Sequence, residues 1–105
     1  MTITKTEDNG RITLKIEGWL DVQTTQELHN YLEKLPVSNE LIFDFAELEY
    51  ISSAGIREVI AAYRRQKDAD AVFQVINVKP DVMDVFTMTG IDKRINISSI
   101  TSGKN

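Results

Sequence analysis

Leu41-Ile42-Phe43-Asp44-Phe45 is a short run of apolar and aromatic residues, typical of a buried central strand. A second run of this kind, Ala71–Ile76, follows later in the chain. Between the two runs, the segment Ile56–Tyr63 places apolar residues at i, i+3, i+4 and i+7, which is one face of a helix. A strand, a helix and a second strand in this order predict a parallel crossover unit. Residues 46–52 are interpreted as a connection into the helix.

The N-terminal segment alternates apolar and polar residues in two runs that are separated by Asp8-Asn9-Gly10. An Asn-Gly pair supplies the positive φ angles that a tight hairpin turn requires. We therefore predict an antiparallel hairpin with strands near residues 2–7 and 11–17. Gly18 is expected to end the second strand.

The first helix is predicted from its apolar face, formed by Leu28, Tyr31, Leu32 and Leu35. The sequence leaves two possible starts for this helix. Asp21 can cap it, or Thr24-Thr25-Gln26-Glu27 can form a capping box at its first turn. Pro36 ends the helix, since proline disfavours helical geometry in the preceding residue.

The last predicted helix begins at Pro80, carries an apolar stripe and ends before Gly90. Arg94–Ser98 is predicted as a final strand, and the polar tail 101–105 as frayed. The resulting order, β-β-α-β-α-β-α-β, predicts an α/β fold: one domain over residues 1–105, with a mixed central sheet and helices packed against it.

Composition narrows the range of functions. The chain has 105 residues, a formal net charge of −4, 42% hydrophobic residues and no cysteine. The composition is that of a globular domain, and it provides no thiolate for metal binding or catalysis. The acidic balance disfavours nucleic acid and anionic membranes as partners. The sequence shows no signal peptide or membrane span, so we expect a cytoplasmic protein.

Most catalytic constellations are missing from the sequence. His29 is the only histidine, and its position beside an apolar helix face favours a partly exposed structural residue over a base or ligand. Neither Gly-x-Gly-x-x-Gly nor a P-loop occurs. Asp81 and Asp84 are better explained as a solvated first helical turn than as a metal site. We expect no enzymatic activity, no metal and no cofactor.

Tyr50-Ile51-Ser52-Ser53-Ala54-Gly55-Ile56 places two hydroxyls and two small residues immediately before a helix. In one interpretation the segment is structural, because serine is a favoured N-cap and small residues allow the helix to approach the sheet closely. In the other it is a modification site. A phosphate on such a serine would lie over the helix N-terminus, where free N–H groups and the dipole favour an anion.

Four blocks in order make the sequence similar to a STAS domain, the family of bacterial anti-sigma factor antagonists and related domains of sulfate transporters. Gly18-Trp19-Leu20-Asp21 resembles the Gly-x-Leu-Asp entry to the family's first helix, and Leu41–Phe45 resembles its aspartate-bearing strand. Tyr50–Ile56 resembles the Asp-Ser-Ser-Gly-Leu signature loop, and Phe86–Ile91 resembles the Leu-Thr-Gly-Leu exit of the third helix. The similarity extends from about Ile12 to Ile97.

The resemblance implies a phosphorylation switch at Ser53, with Ser52 as the alternative acceptor. In its unmodified form the domain would capture an anti-sigma factor, a serine kinase of the histidine-kinase-like ATPase fold, and so free a sigma factor. Phosphorylation by that partner would break the complex. Ser52 stands where the family's signature aspartate is usual, and Ala54 replaces the second signature serine. The family usually has a further helix after the last predicted strand, where here only the short tail follows.

We expect one surface to bind the partner, formed by Asp21, Ser52, Ser53, Gly55 and Arg57. The absent aspartate motivates an alternative, in which the domain is a non-phosphorylated scaffold subunit of a lipid-transport or stress-signalling complex. A nucleotide-binding or enzymatic role is the third possibility, and the missing phosphate-loop chemistry disfavours it.

Overall fold

The computed structural model describes residues 1–100, so the predicted fraying of residues 101–105 lies outside the described part of the chain. Within the described residues the chain forms strands and helices in the order β-β-α-β-β-α-β-α-β. They are β1 (Thr2–Asp8), β2 (Arg11–Leu20), α1 (Val22–Glu33), β3 (Glu40–Asp44), β4 (Leu48–Ile51), α2 (Ser53–Asp68), β5 (Val72–Val78), α3 (Pro80–Thr89) and β6 (Asn96–Ser99), with a 3₁₀ turn at Ile91–Lys93 between the last two.

The strands form one mixed sheet in the order β1-β2-β3-β5-β6. β1 is antiparallel to β2, and the other neighbours in this order are parallel. β4 pairs with the C-terminal part of β2, beyond the residues of β2 that pair with β3. The predicted α/β fold, with a hairpin followed by parallel crossovers, is confirmed.

The hairpin turn has the predicted chemistry. Asn9 and Gly10 have φ angles of +53° and +81°, and Asp8 is paired with Arg11 across the turn. Two successive positive φ angles define a type I′ turn, whose twist matches that of the flanking strands. β1 is largely exposed at the sheet edge.

Among the predicted boundaries that differ from the structure, two concern the strands that carry the site. Gly18 does not end the second strand, because β2 continues to Leu20 through a register irregularity between Gly18 and Trp19. Gly18 adopts a φ of +105°, which glycine tolerates, so the strand passes through the irregularity and resumes pairing. Residues 46–52 are not simply a connection either, because they contain β4.

The core lies on the sheet face that packs against α1 and α2. Ile12, Leu14, Phe43 and Val75 point to this face from neighbouring strands, as the strand register shows. They form one buried cluster with residues of both helices, including Leu28 and Val59. Phe43 meets Phe73 edge to face at a centroid distance of 5.0 Å, a geometry that aromatic pairs prefer.

The opposite face of the sheet is mainly polar. Thr13, Lys15 and Gln74 lie there at half-buried positions. Gln74 Nε2 donates to Glu40 Oε2 at 2.6 Å, and Arg11 Nε donates to the other carboxylate oxygen at 3.0 Å. These two bonds hold the pKa of Glu40 below its ordinary value, with the bond from Arg11 as the larger cause.

Across residues 1–100, the structure contains no helix with the length and apolar character needed to span a bilayer.

Candidate functional site

Two helix N-termini lie side by side at the C-terminal ends of β2 and β4. β2 and β4 run parallel, with Trp19 paired to Tyr50 and Leu20 paired to Ile51. The next residue of each strand is the N-cap of a helix, Asp21 for α1 and Ser52 for α2. We call the surface formed by Asp21, Ser52 and Ser53 the cap surface. Parallel pairing brings it together from segments that are remote in sequence.

Asp21 caps α1, which decides between the two starting points open in the sequence. Its Oδ1 accepts hydrogen bonds from the backbone N–H groups of Gln23 at 3.0 Å and Thr24 at 2.9 Å. In return, the Asp21 N–H donates to the Thr24 hydroxyl oxygen at 2.9 Å, which completes a capping box. The bonds from the Thr24 backbone and hydroxyl hold the pKa of Asp21 below its ordinary value. The cap surface therefore carries a carboxylate at neutral pH.

Ser52 caps α2 and ties it to β2. Its Oγ accepts from the Gly55 N–H at 3.2 Å, and its own N–H donates to the Leu20 carbonyl at 2.8 Å. Ser52 is half-buried, whereas Ser53, the first residue of α2, is exposed. The two serines thus differ in access and in use, because one hydroxyl oxygen is occupied by the cap and the other faces solvent.

Gly55 is buried in the first turn of α2. A Cβ at this position would lie 2.7 Å from Ile51 Cγ1, 3.0 Å from Leu20 Cβ and 3.2 Å from the Leu20 carbonyl oxygen. The absent side chain lets α2 begin directly against the ends of β2 and β4. What Gly55 contributes in this structure is therefore close packing beneath the cap surface, and not an exposed contact.

Arg57 is exposed on α2, one turn beyond Ser53. It lines a groove between α2 and the segment Thr89–Ile95, and Ser53 lies at the margin of the same groove. Of the five residues predicted to bind a partner, the structure brings Asp21, Ser52 and Ser53 together at one edge. It buries Gly55 below them and places Arg57 on the adjoining helix surface.

Side-chain bonds connect α1 to α2. His29 is half-buried, with Nδ1 at 3.2 Å from both carboxylate oxygens of Glu58 and Nε2 at 3.3 Å from Glu33. Arg65 Nη1 donates to the Leu32 carbonyl at 2.8 Å. His29 is thus a partly exposed helix residue with a structural contact, as the sequence predicted.

The described residues contain no group of three or more His, Asp or Glu side chains placed to hold a metal ion.

Sequence reasoning missed three exposed apolar residues around the cap surface. Trp19 is 58% exposed, Tyr50 52% and Val22 76%. We call these three residues the apolar rim. Trp19 and Tyr50 each precede the last buried residue of a strand, and they pair with each other in register. Their presence within two of the family-like blocks was the available signal. Exposed aromatic residues beside polar groups are typical of protein interfaces.

The cap surface and the apolar rim together form the candidate functional site. Comparison with known proteins gives the family of the chain. The family model described as "Mlab, STAS domain" matches residues 3–100, nearly the whole chain. The chain belongs to this STAS family.

Similar proteins include anti-sigma factor antagonists. The Bordetella bronchiseptica protein BtrV, which its name describes as a putative anti-sigma factor antagonist, is 25% identical over 92 residues, covering 86% of this chain and 79% of BtrV. The anti-sigma factor antagonist SpoIIAA in its unphosphorylated form has the same fold, with a TM-score of 0.79 at 16% identity, covering 93% of this chain and 89% of SpoIIAA. A chain of the stressosome, described as a signal integration and transduction hub, has a TM-score of 0.67 at 20% identity, covering 91% of this chain and 87% of that one.

Proposed function

We propose that the protein is an anti-sigma factor antagonist that binds an anti-sigma factor serine kinase in the cytoplasm and thereby releases a sigma factor. Phosphorylation of Ser53 by that kinase, which has the histidine-kinase-like ATPase fold, switches the antagonist off. The observation that carries the proposal is the exposed hydroxyl of Ser53 at the first position of α2, beside a second helix N-terminus. The relationship to BtrV supports the same function.

The position of Ser53 suits a phosphate. The first backbone N–H groups of a helix have no intrahelical acceptor, and the helix dipole favours an anion there. A phosphate adds about −1.5 to −2 charge at neutral pH. It would enter a surface that already holds the Asp21 carboxylate, so the charge of the cap surface would change greatly while the fold is kept. A partner that docks on the unmodified serine would then face electrostatic repulsion from the added charge or a steric clash with the phosphate.

Ser53 is favoured over Ser52 as the acceptor. The Ser52 oxygen accepts the Gly55 N–H, so transfer to Ser52 would require the cap bond of α2 to rearrange. Transfer to Ser53 needs no such change, because its side chain is exposed. The serine at position 52 also means that the cap of α2 is neutral, in contrast to the carboxylate that caps α1.

The test is phosphorylation by the partner kinase with ATP, read by mass spectrometry of the wild-type chain and of S53A and S52A. We expect one phosphate in the wild type and in S52A, located on Ser53, and none in S53A. Binding is then measured for S53A and S53D. S53A should bind as the wild type does, and S53D should bind at least about tenfold more weakly, equal to about 1.4 kcal/mol. Phosphate on neither serine would disprove the switch.

A scaffold role without phosphorylation is the second candidate, as a subunit of a lipid-transport or stress-signalling complex. The fold similarity to the stressosome chain supports it, as does the serine in place of the family's signature aspartate. The same variants separate the two candidates. A partner whose binding is unaffected by S53D, but weakened by truncation of the apolar rim in W19A or Y50A, would favour the scaffold.

A further inference from the structure

A groove of about 650 Å³ runs between α2 and the segment Thr89–Ile95. Three arginines line it: Arg57 and Arg64 from α2, and Arg94 from the opposite wall. We call it the arginine groove. Arg57 and Arg64 are seven residues apart on one helix, so they lie on the same face, about 10 Å apart along the axis.

The three arginines have no acidic partners among residues 1–100. All three are exposed. The ion pairs of the described residues involve Lys5, Arg11, His29 and Lys79, and no carboxylate oxygen lies within 4.0 Å of the groove's guanidinium groups. The chain as a whole has a net charge of −4. Three uncompensated cations on one concavity of an acidic protein form a local positive field that would attract an anionic partner.

The floor of the groove is apolar. Ile60 and Tyr63 are half-buried there, and Ile56, Ile91 and Ile95 lie deeper. An apolar floor between cationic walls matches one ligand chemistry, a segment with apolar side chains on one face and carboxylates on its flanks. Amphipathic helices bind grooves in this way, with anchors at i, i+3, i+4 and i+7.

We infer that the arginine groove binds an acidic amphipathic segment of a protein partner. The charge complementarity identifies this occupant, and the apolar floor distinguishes it from a nucleic acid, whose phosphates would use only the arginines. The concave shape disfavours a membrane surface. The inference does not depend on phosphorylation of Ser53, although Ser53 at the groove margin makes the groove continuous with the cap surface.

The experiment selects peptides on the immobilised full chain from a random display library whose members can form about four helical turns. We expect the selected peptides to be rich in Asp and Glu and to carry apolar residues at helical spacing. Their affinity is then measured by calorimetry for the wild type and for R57E, R64E and R94E. Each reversal should weaken binding by about tenfold or more, and rising salt should weaken it further.

The matched control is K34E, which makes the same charge change at an exposed residue outside the groove. It should bind the selected peptides as the wild type does. Circular dichroism and thermal unfolding verify that every variant is folded, as expected for substitutions of exposed residues. Selected peptides without acidic enrichment, equal affinities for all variants, or no selection above background would overturn the inference. So would displacement of the peptides by phosphatidylglycerol vesicles or by a single-stranded DNA oligonucleotide.

Discussion

Gly55 shows what a single missing methyl group does at the site. Alanine is the better helix former, by roughly 0.5–1 kcal/mol at a neutral position. At position 55, however, its Cβ would lie 2.7 Å from Ile51 Cγ1 and 3.2 Å from the Leu20 carbonyl. We therefore expect G55A to lower the free energy of unfolding by about 1–3 kcal/mol, as overpacking does. Urea denaturation followed by circular dichroism measures it.

The control for G55A is A61G, at an exposed position of the same helix. It removes a methyl group from an exposed side chain, so it should lower stability by roughly 1 kcal/mol, mainly through helix propensity. If the two substitutions shift stability in opposite directions, with G55A stabilising, then Gly55 is not a close-packing residue and the account of the cap surface is wrong.

At single positions, the sequence predicted the structural role of a residue better than its exposure and its contacts. Ser52 and Gly55 are recognisable as a cap and a small residue because serine and glycine have strong positional preferences. The blocks that resemble the family contain Trp19 and Tyr50, but they do not show that the two side chains are exposed, because exposure depends on how β2 pairs with β4. The arginine groove could not be predicted either, because Arg94 is remote from α2 in the sequence and only the tertiary fold brings the two together.

The sequence signals that predict helix and strand boundaries differ in strength. The Asn9-Gly10 turn and the Pro80 start of α3 were predictable because each requires a particular backbone geometry. β4 was missed because its two buried residues, Leu48 and Ile51, are separated by two exposed ones, which gives no alternation. Pairing with β2 creates this strand, and pairing is a tertiary interaction that no local pattern displays.

The cap of α1 makes the stability of this helix depend on pH. The folded-state pKa of Asp21 is lowered by the bonds from Thr24, so the ionised form contributes stability above the unfolded pKa of about 3.9. That contribution is lost as the pH falls through the lower folded value. D21N is the informative variant, because asparagine also caps helices but carries no charge.

We expect the wild type to be more stable than D21N at pH 7, and the difference to shrink as the pH falls below about 4. Urea denaturation at a series of pH values measures this difference. A difference that does not change with pH would show that the charge of Asp21 contributes nothing to the cap, leaving only its hydrogen-bond geometry.

The candidate surfaces of the molecule share one core. The cap surface, the apolar rim and the arginine groove all include residues at the ends of elements whose buried faces meet in a single cluster. One phosphate would change the net charge from −4 to about −6, concentrated at one edge of the sheet. The three surfaces therefore rest on one shared core.

Phe86 tests whether this support is a single cooperative unit. It is fully buried on α3 and stacks on Phe45, just beyond β3, at a centroid distance of 6.4 Å and an interplanar angle of 11°. F86A should lower the free energy of unfolding by about 3–5 kcal/mol, a large share of the roughly 5–15 kcal/mol typical of a small domain. F86L should cost less, since leucine keeps most of the buried apolar volume. Both should unfold in urea in one transition with the wild-type slope, because α3 shares its core with β3 and β4. A separate early transition in F86A would mean that α3 and the groove wall after it unfold independently of the cap surface.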